Sequence, residues 1–178
     1  MILCEVDNMR GSGQELKLAE LIDTHVKQER FIFVEIGVWS GLTAQYLLER
    51  FPGVEYWGVD PYEAFYNANQ DQCDDALGLA IARLSHYPNA HLKLATSEQS
   101  VCRFASRMID AVFIDGDHHY EACLQDMQLW WPKTNCFMAG HDYTNAGVAK
   151  ATAEFCEQHN LILYTGDSKM WWLVREGF

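Results

Sequence analysis

The sequence predicts a doubly wound α/β fold, a seven-stranded and mostly parallel sheet with helices on both faces. Short apolar runs such as 31–38 alternate along the chain with segments of helical spacing, a pattern typical of parallel strands linked by helices. The last two strands are joined only by the turn 166–169. This turn is too short for a crossover, so the seventh strand is predicted to run antiparallel. The length of 178 residues favours a single domain, 1–178, that opens with a helical segment in 1–30.

Each element follows from its local pattern. Apolar residues recur at helical spacing in the first helix, whereas the next segment is a continuous apolar run broken at Gly37, as in a strand buried on both faces. Pro52 and Pro132 end the helices before them. The predicted elements are a helix at 14–28, a strand at 31–38, a helix at 42–50, a strand at 55–60, a helix at 72–86, a strand at 91–95, a helix at 98–107, a strand at 110–115, a helix at 119–131, a strand at 136–142, a helix at 147–159, and strands at 161–165 and 170–175.

The composition disfavours several classes of partner. Asp and Glu number 25 against 13 Lys and Arg, a formal net charge of −12, and so acidic a surface repels nucleic acids and anionic membranes. No apolar run approaches the roughly 20 residues that cross a bilayer. The N-terminal stretch carries acid where a signal peptide has a basic start. We therefore expect a cytoplasmic protein with no nucleic-acid and no membrane partner.

The turn after the first strand is the first candidate site. Doubly wound sheets bind ligands beyond the carboxyl ends of their strands, and here EIGVWSG (35–41) leads directly into a helix. Its glycines permit a tight turn and a close approach of the backbone to a ligand. A dinucleotide motif has glycine where Glu35 stands, and a carboxylate repels a pyrophosphate. The turn therefore favours a ligand with an ammonium group and no phosphate, with a plain strand-to-helix turn as the alternative.

Asp60 is the second candidate, because it closes the second strand just before Pro61. An acid at this place can accept hydrogen bonds from both hydroxyls of a ribose; a solvated loop acid is the alternative. A ribose with an ammonium-bearing tail and no phosphate describes S-adenosylmethionine. The two strand ends together therefore predict S-adenosylmethionine as the cofactor.

These two sites belong to a longer series of motifs, VEIGVWSG (34–41), WGVDPY (57–62), LATSEQS (94–100), FIDGDHHYE (113–121) and AGHDYTNAGVAKATAEF (139–155). In this order the motifs resemble a class I S-adenosylmethionine-dependent methyltransferase with a Rossmann-like fold. More narrowly, the chain resembles methyltransferase family 24, a relative of the catechol-type O-methyltransferases. The resemblance spans nearly the whole chain. It implies methyl transfer, which we expect on a hydroxyl of a small-molecule or glycan acceptor.

The resemblance also implies roles for residues in the matching motifs. The implied cofactor-binding residues are Glu35, Gly37 and Gly41 around the methionine end, Asp60 at the ribose, Ser97 near the adenine, and Asp115.

The ends of the fourth and fifth strands carry a possible cation site. Carboxylate oxygens suit Mg²⁺ or a similar hard cation, and Asp115 and Asp142 match the two metal-binding aspartates of the catechol-type relatives. Tyr143 stands where those relatives have an asparagine ligand, so the third ligand is His141, with His118 as the alternative. An imidazole ligand would make Mn²⁺, Fe²⁺ or Zn²⁺ as plausible as Mg²⁺.

His118 and Asp115 are the predicted catalytic residues. His118 stands where catechol-type enzymes carry a lysine that takes the proton of the substrate, and an imidazole can do this near neutral pH. Methyl transfer is an in-line displacement, so the enzyme chiefly holds the acceptor in line and eases its deprotonation.

Other interpretations stay open. The stretch 62–75 is either a lid over the acceptor or a packed loop, and Trp39 is a candidate wall of the pocket. The tripeptide at 117–119 (DHH) also occurs in metal-dependent phosphoesterases, which makes a metal-dependent hydrolase an alternative use of the cluster. A module that binds the cofactor without catalysis is another. The short chain leaves the pocket open unless a second subunit covers it, so a homo-oligomer is also possible.

Overall fold

Seven strands form one sheet in the computed structural model, which describes residues 13–65, 68–166 and 168–175. The strands are β1 (Phe31–Ile36), β2 (Val54–Val59), β3 (Ala90–Lys93), β4 (Ile109–Ile114), β5 (Thr134–Gly140), β6 (Tyr164–Thr165) and β7 (Trp171–Val174). Their order across the sheet is β3-β2-β1-β4-β5-β7-β6. β7 runs antiparallel to β5 and β6, and the pairs among β1 to β5 are parallel. The predicted fold class is confirmed.

Helices cover both faces of the sheet. They are α1 (Gln14–His25), α2 (Leu42–Arg50), α3 (Gln70–Leu84), α4 (Ser97–Val101), α5 (Tyr120–Trp130) and α6 (Ala146–His159), with a 3-10 turn at Trp131–Lys133. One hydrophobic cluster contains side chains of α1, α2 and α3, and a second contains those of α5 and α6. Helix α1 occupies the later part of the predicted N-terminal segment 1–30, while residues 1–12 lie outside the described residues.

Strand β1 shows why the central strands have continuous apolar sequences. Phe31 and Phe33 pack into the cluster beneath α1 to α3, whereas Val34 and Ile36 pack into the cluster beneath α5 and α6. Successive side chains of a strand point to opposite faces, so a strand covered on both faces has apolar residues at successive positions; Glu35 is the exception in β1.

Helix α4 is shorter than the predicted helix at 98–107. It ends at Val101, because the chain then turns inward and buries the ring of Phe104 against Trp57 and Trp130, with ring centroids 5.6 Å apart in each pair. Arg107 has a left-handed backbone, with φ +53°, which a helix cannot continue through.

Strand β6 is also shorter than predicted, since only 164–165 of the segment 161–165 pair with β7. The amide of Leu161 is used instead to close the end of α6, where it donates to the carbonyl of Cys156 at 2.9 Å. Asn160 makes this turn possible with a left-handed φ of +51°, as asparagine often does after a helix.

The carboxyl ends of β2, β1, β4 and β5 lie side by side along one edge of the sheet. The amides of Gly37, Asp115 and His141 each donate to the last residue of the neighbouring strand, at 2.9, 2.8 and 3.1 Å. The chain order reverses between β1 and β4, and ligands of doubly wound sheets bind outside such a reversal. The predicted site residues at these four strand ends are thereby brought to one edge.

Candidate active site

The glycine turn, residues 37–41, connects β1 to α2. Gly37 has φ +85°, and a Cβ atom at this place would lie 2.3 Å from the carbonyl oxygen of Asp115. Gly41 has φ +76° and caps α2; its Cβ would lie 3.3 Å from the Cα of Ala80 in α3. Both places favour glycine through backbone conformation and through close approach. The first contact also joins the glycine turn to the loop that carries Asp115.

Asp60 holds the glycine turn in position. Its Oδ2 accepts hydrogen bonds from the amides of Val38 at 2.9 Å and Trp39 at 3.0 Å, and its Oδ1 accepts one from the amide of Tyr62 at 2.8 Å. An ionised carboxylate has about four acceptor positions, so most of them are used within the protein. The sequence predicts Asp60 as a ribose ligand, and the structure adds a second role, the fixing of the turn.

Tyr62 holds the same turn from another side. Its buried side chain donates a hydrogen bond from the hydroxyl to the carbonyl of Trp39 at 2.8 Å. Tyr62 and Trp39 both have left-handed backbones, with φ +52° and +49°, and backbone strain of this kind collects at functional sites. Burial raises the pKa of Tyr62 far above its usual value, so the hydroxyl keeps its proton and remains a donor.

Two further residues of the predicted lid segment 62–75 contact this turn or Tyr62. The ring of Phe65 meets the ring of Trp39 edge to face, with centroids 6.2 Å apart. The side-chain amide of Gln70 at the start of α3 donates to the carbonyl of Tyr62 at 3.0 Å. Residues 66–67 lie outside the described residues. A lid over the acceptor remains a prediction.

Glu35 is a buried acid at the end of β1, with 2% of its surface exposed. The hydroxyl of Tyr56 donates a hydrogen bond to its carboxyl group. Burial raises the pKa of Glu35 well above its usual value; the bond from Tyr56 lowers it, and the charges of Asp115 and Asp60 raise it further. A positively charged ligand group would favour the ionised form, so this acid fits the predicted ammonium-bearing ligand.

Ser97, the predicted adenine neighbour, lies at the start of α4 and is hydrogen-bonded to α5. Its Oγ accepts a bond from the indole Nε1 of Trp130 at 2.7 Å and is also bonded to the carboxyl group of Asp126. The structure thus gives this hydroxyl partners within the protein, and its place near the adenine remains a prediction. Asp126 is buried, and burial raises its pKa to about 6, against the bond from Ser97, which lowers it.

Replacing Asp126 with asparagine is expected to stabilise the protein at pH 8 and not at pH 4. The pKa of Asp126 rises from 3.8 to about 6 on folding, so the native state loses stability as the pH rises through this window, by about 3 kcal/mol. Asp126→Asn removes that loss and can still accept a bond from Ser97. Urea unfolding at both pH values measures the difference, with the exposed Glu121→Gln on the same helix as control. A gain of the same size at pH 4 would contradict the prediction.

The Asp/His cluster (Asp115, His118, His141 and Asp142) lies at the ends of β4 and β5. His118 Nε2 is 3.3 Å from Asp142 Oδ2 and 3.9 Å from Asp115 Oδ1. His141 Nδ1 is 3.3 Å from Asp142 Oδ2 and 3.6 Å from Asp115 Oδ1. Asp115, His118 and Asp142 each offer a ligand atom within 4.8 Å of the other two. The two carboxylates therefore meet as predicted, and both imidazoles face them.

The electrostatics of the cluster favour positive charge between the carboxylates. Asp115, followed by Asp142, raises the pKa of His118 against the opposing effect of burial. Burial lowers the pKa of His141, but Asp142 and Asp115 outweigh it and the net shift is upward. The contact with His141 is the main cause that lowers the pKa of Asp142. A divalent cation would satisfy the same carboxylates.

The neighbours of the cluster differ in what they can contribute. The Nε2 of His141 is buried and has no hydrogen-bond partner among the described residues. The ring of Tyr143 packs against the hydrophobic cluster beneath α5 and α6, in agreement with the view that it is no ligand. Asp117 and His119 are exposed and pair with each other at 2.6 Å. Of the tripeptide at 117–119, only His118 belongs to the Asp/His cluster.

Two residues near the cluster were not singled out from the sequence. Lys169, in the turn between β6 and β7, places its Nζ 3.9 Å from Asp142 Oδ1. Gln14, at the start of α1, donates a hydrogen bond from its Nε2 to Asp115 Oδ2 at 3.3 Å. The predicted antiparallel β7 brings this turn to the end of β5, so the topology could have indicated that Lys169 lies near Asp142. No local pattern pointed to Gln14.

The residues present fit both groups that the sequence predicts. The close approach at Gly37 and the buried acid Glu35 suit a cofactor that lies on the glycine turn and carries an ammonium group. Two carboxylates and an imidazole with converging ligand atoms suit a divalent cation. The site can therefore hold a cofactor and a cation side by side.

The strand order, with an antiparallel β7 after five parallel strands, is that of the class I S-adenosylmethionine-dependent methyltransferases. Residues 34–143 match the family described as "Methyltransferase domain", methyltransferase family 24. The match covers more than half of the chain, and the protein belongs to this family.

Solved structures show the same fold. A protein of Corynebacterium glutamicum is similar with a TM-score of 0.68 and 13% identity, over 93% of this chain and 81% of that one. A Staphylococcus aureus protein assigned as a caffeoyl-CoA O-methyltransferase has a TM-score of 0.67 and 11% identity, over 91% and 82%. An rRNA methylase from Streptococcus thermophilus has a TM-score of 0.62 and 15% identity, over 90% and 94%.

A comparison with curated protein sequences finds no significant match. Within the described ranges, no helix has the length and apolar character needed to cross a membrane.

Proposed function

We propose that the protein transfers the methyl group of S-adenosylmethionine to a hydroxyl of a small-molecule or sugar acceptor, with the help of a divalent cation. The observation that supports this most is the position of the Asp/His cluster directly beside the glycine turn. Gly37 approaches the backbone of Asp115 closely, and Asp115 in turn faces Asp142 across the two imidazoles. A methyl donor and an acceptor held at these two places would be neighbours.

The cofactor side uses the glycine turn and the two acids beside it. Gly37 and Gly41 let the backbone approach the methionine part, and Glu35 receives its ammonium group. Asp60 accepts a hydrogen bond from a ribose hydroxyl while it holds the glycine turn, and Ser97 is assigned to the adenine end. Asp115 borders this side as well as the cation side, so it connects the two halves of the site.

The cation side uses Asp115 and Asp142, with one imidazole as a further ligand. When bound, S-adenosylmethionine supplies an electrophilic methyl group, and a divalent cation makes a neighbouring hydroxyl more acidic. His118 is the more accessible imidazole, with 26% of its side chain exposed against 11% for His141. We assign the acceptor's proton to His118 Nε2 on this ground. The third ligand position goes to His141, whose Nδ1 lies 3.3 Å from Asp142 Oδ2 and 3.6 Å from Asp115 Oδ1, although the converging set of ligand atoms contains His118.

The charge of the chain supports a small or sugar acceptor. A net charge of −12 disfavours nucleic acid as the acceptor, although one structure of similar fold is an rRNA methylase. The likeness to a protein assigned as a caffeoyl-CoA O-methyltransferase supports a hydroxyl as the methylated group.

Methyl transfer is tested by incubating the protein with labelled S-adenosylmethionine and a panel of catechols, sugars, amines and thiols. We expect label on a hydroxyl, stimulation by Mg²⁺ or Mn²⁺, and loss of turnover in EDTA. Asp142→Ala should lower the stimulated rate by about a hundredfold, since even residues that only support metal ligands contribute about 10–100-fold. His118→Ala should slow turnover at saturating cation, whereas His141→Ala should weaken cation binding.

The exposed Glu157→Ala is the control, because it removes a carboxylate from α6, the helix that follows Asp142, at a place away from the Asp/His cluster. Label found only on amines or thiols would contradict O-methylation. A wild-type rate that EDTA leaves unchanged, together with an Asp142→Ala rate equal to that of the wild type, would contradict cation assistance.

A further inference from the structure

Gln14, the first residue of α1, bridges the two halves of the site. Its side-chain Nε2 lies 3.0 Å from Thr43 Oγ1 and 3.3 Å from Asp115 Oδ2. A primary amide carries two hydrogens on this nitrogen, so it can donate to both partners at once. Thr43 is buried in the first turn of α2, directly after the glycine turn. One side chain thus contacts the helix that follows the glycine turn and a carboxylate of the Asp/His cluster.

The bond from Gln14 distinguishes the two oxygens of Asp115. Oδ2 accepts from Gln14, while Oδ1 is the oxygen that faces His118 and His141, at 3.9 and 3.6 Å. A carboxylate held at one oxygen cannot rotate freely about its last bond. The contact therefore keeps Oδ1 turned toward the place where a cation would lie.

The start of α1 is itself held against the outer strands. The ammonium of Lys17, one turn further along α1, lies 4.4 Å from the centre of the Trp172 ring. The contact of Lys17 with Trp172 holds the first turn of α1, from which Gln14 extends, so the position of its amide does not depend on Asp115 alone.

We propose that Gln14 is a positioning residue, which orients Asp115 for cation binding through the bond to Oδ2. The inference rests on the proposed function, since it requires a cation at the Asp/His cluster. Partners that orient a metal ligand typically contribute about 10–100-fold to metal affinity. Loss of the Gln14 amide should therefore weaken cation binding without removing any ligand.

The test is a titration of the full chain with Mn²⁺, in which the free ion is measured by electron paramagnetic resonance. Gln14→Ala and Gln14→Leu should each bind Mn²⁺ at least about tenfold more weakly than the wild type. Gln45→Ala, which removes a glutamine bonded to the exposed Glu49 on α2, should bind as the wild type does. Affinity for S-adenosylhomocysteine in metal-free buffer, measured in parallel, should fall by less than the affinity for Mn²⁺, because Gln14 reaches the cofactor side only through Thr43 and Asp115, whereas its bond to Oδ2 acts directly on a cation ligand.

Two results would overturn the positioning role while the proposed function stands. One is an unchanged Mn²⁺ affinity in both Gln14 variants. The other is a parallel fall in affinity for Mn²⁺ and for S-adenosylhomocysteine, which would mean that Gln14 supports the whole site rather than Asp115. A wild-type protein that binds no Mn²⁺ would overturn the cation assignment, and this inference with it.

Discussion

Replacing Gly37 with alanine is expected to destabilise the protein strongly and to abolish cofactor binding. The backbone of Gly37 is left-handed, with φ +85°, which alone costs an alanine about 1–2 kcal/mol. The new Cβ would also lie 2.3 Å from the carbonyl oxygen of Asp115, and overpacking adds about 1–3 kcal/mol. We therefore expect a loss of about 2–5 kcal/mol in the free energy of unfolding, measured by urea denaturation.

Gly78→Ala is the matched control for this substitution. Gly78 lies within α3, and a Cβ there would meet no atom within 4 Å. Alanine at an exposed helical position stabilises by about 1 kcal/mol relative to glycine. Equal effects of the two substitutions, or a Gly37→Ala variant that still binds the cofactor normally, would contradict the account of the glycine turn.

Replacing Asp60 should remove most of the affinity for S-adenosylhomocysteine. Asp60→Ala loses the proposed ribose contact and leaves the amides of Val38, Trp39 and Tyr62 without their acceptor. A hydrogen bond to a charged group contributes about 1.5–3 kcal/mol, so the loss should be at least about tenfold in affinity. Asp60→Asn keeps one acceptor oxygen and should give an intermediate affinity.

Glu63→Ala removes the same charge from an exposed residue of the neighbouring loop and is the control for Asp60. We expect it to bind S-adenosylhomocysteine as the wild type does. If Asp60→Ala also bound normally, Asp60 would be a structural acid only, and the ribose would have to lie elsewhere.

The fold was predictable from the sequence because local patterns determine most of it. Apolar runs such as 31–34 are continuous where a strand is covered on both faces, and the short turn at 166–169 forced an antiparallel last strand. The predicted helix at 98–107 was too long, because burial of Phe104 is a tertiary contact with Trp57 and Trp130. Helical spacing in the sequence cannot reveal such a contact.

The site was predictable only where residues stand at strand ends. Asp115 follows β4 directly and Asp142 lies two residues after β5, and the parallel sheet brings them together. The bonds from Asp60 to the amides of the glycine turn and from Gln14 to Asp115 join residues far apart in the chain. They depend on side-chain directions and helix packing, for which the sequence holds no local pattern.

The central claim, that the chain binds S-adenosylmethionine at the ends of β1 and β2, is tested most directly by a calorimetric titration. The wild-type protein is titrated with S-adenosylhomocysteine in metal-free buffer. The account predicts saturable binding at one site per chain in the micromolar range, because the residues proposed to hold the cofactor require no cation. An absence of heat at several temperatures would contradict the cofactor site and, with it, the proposed methyl transfer.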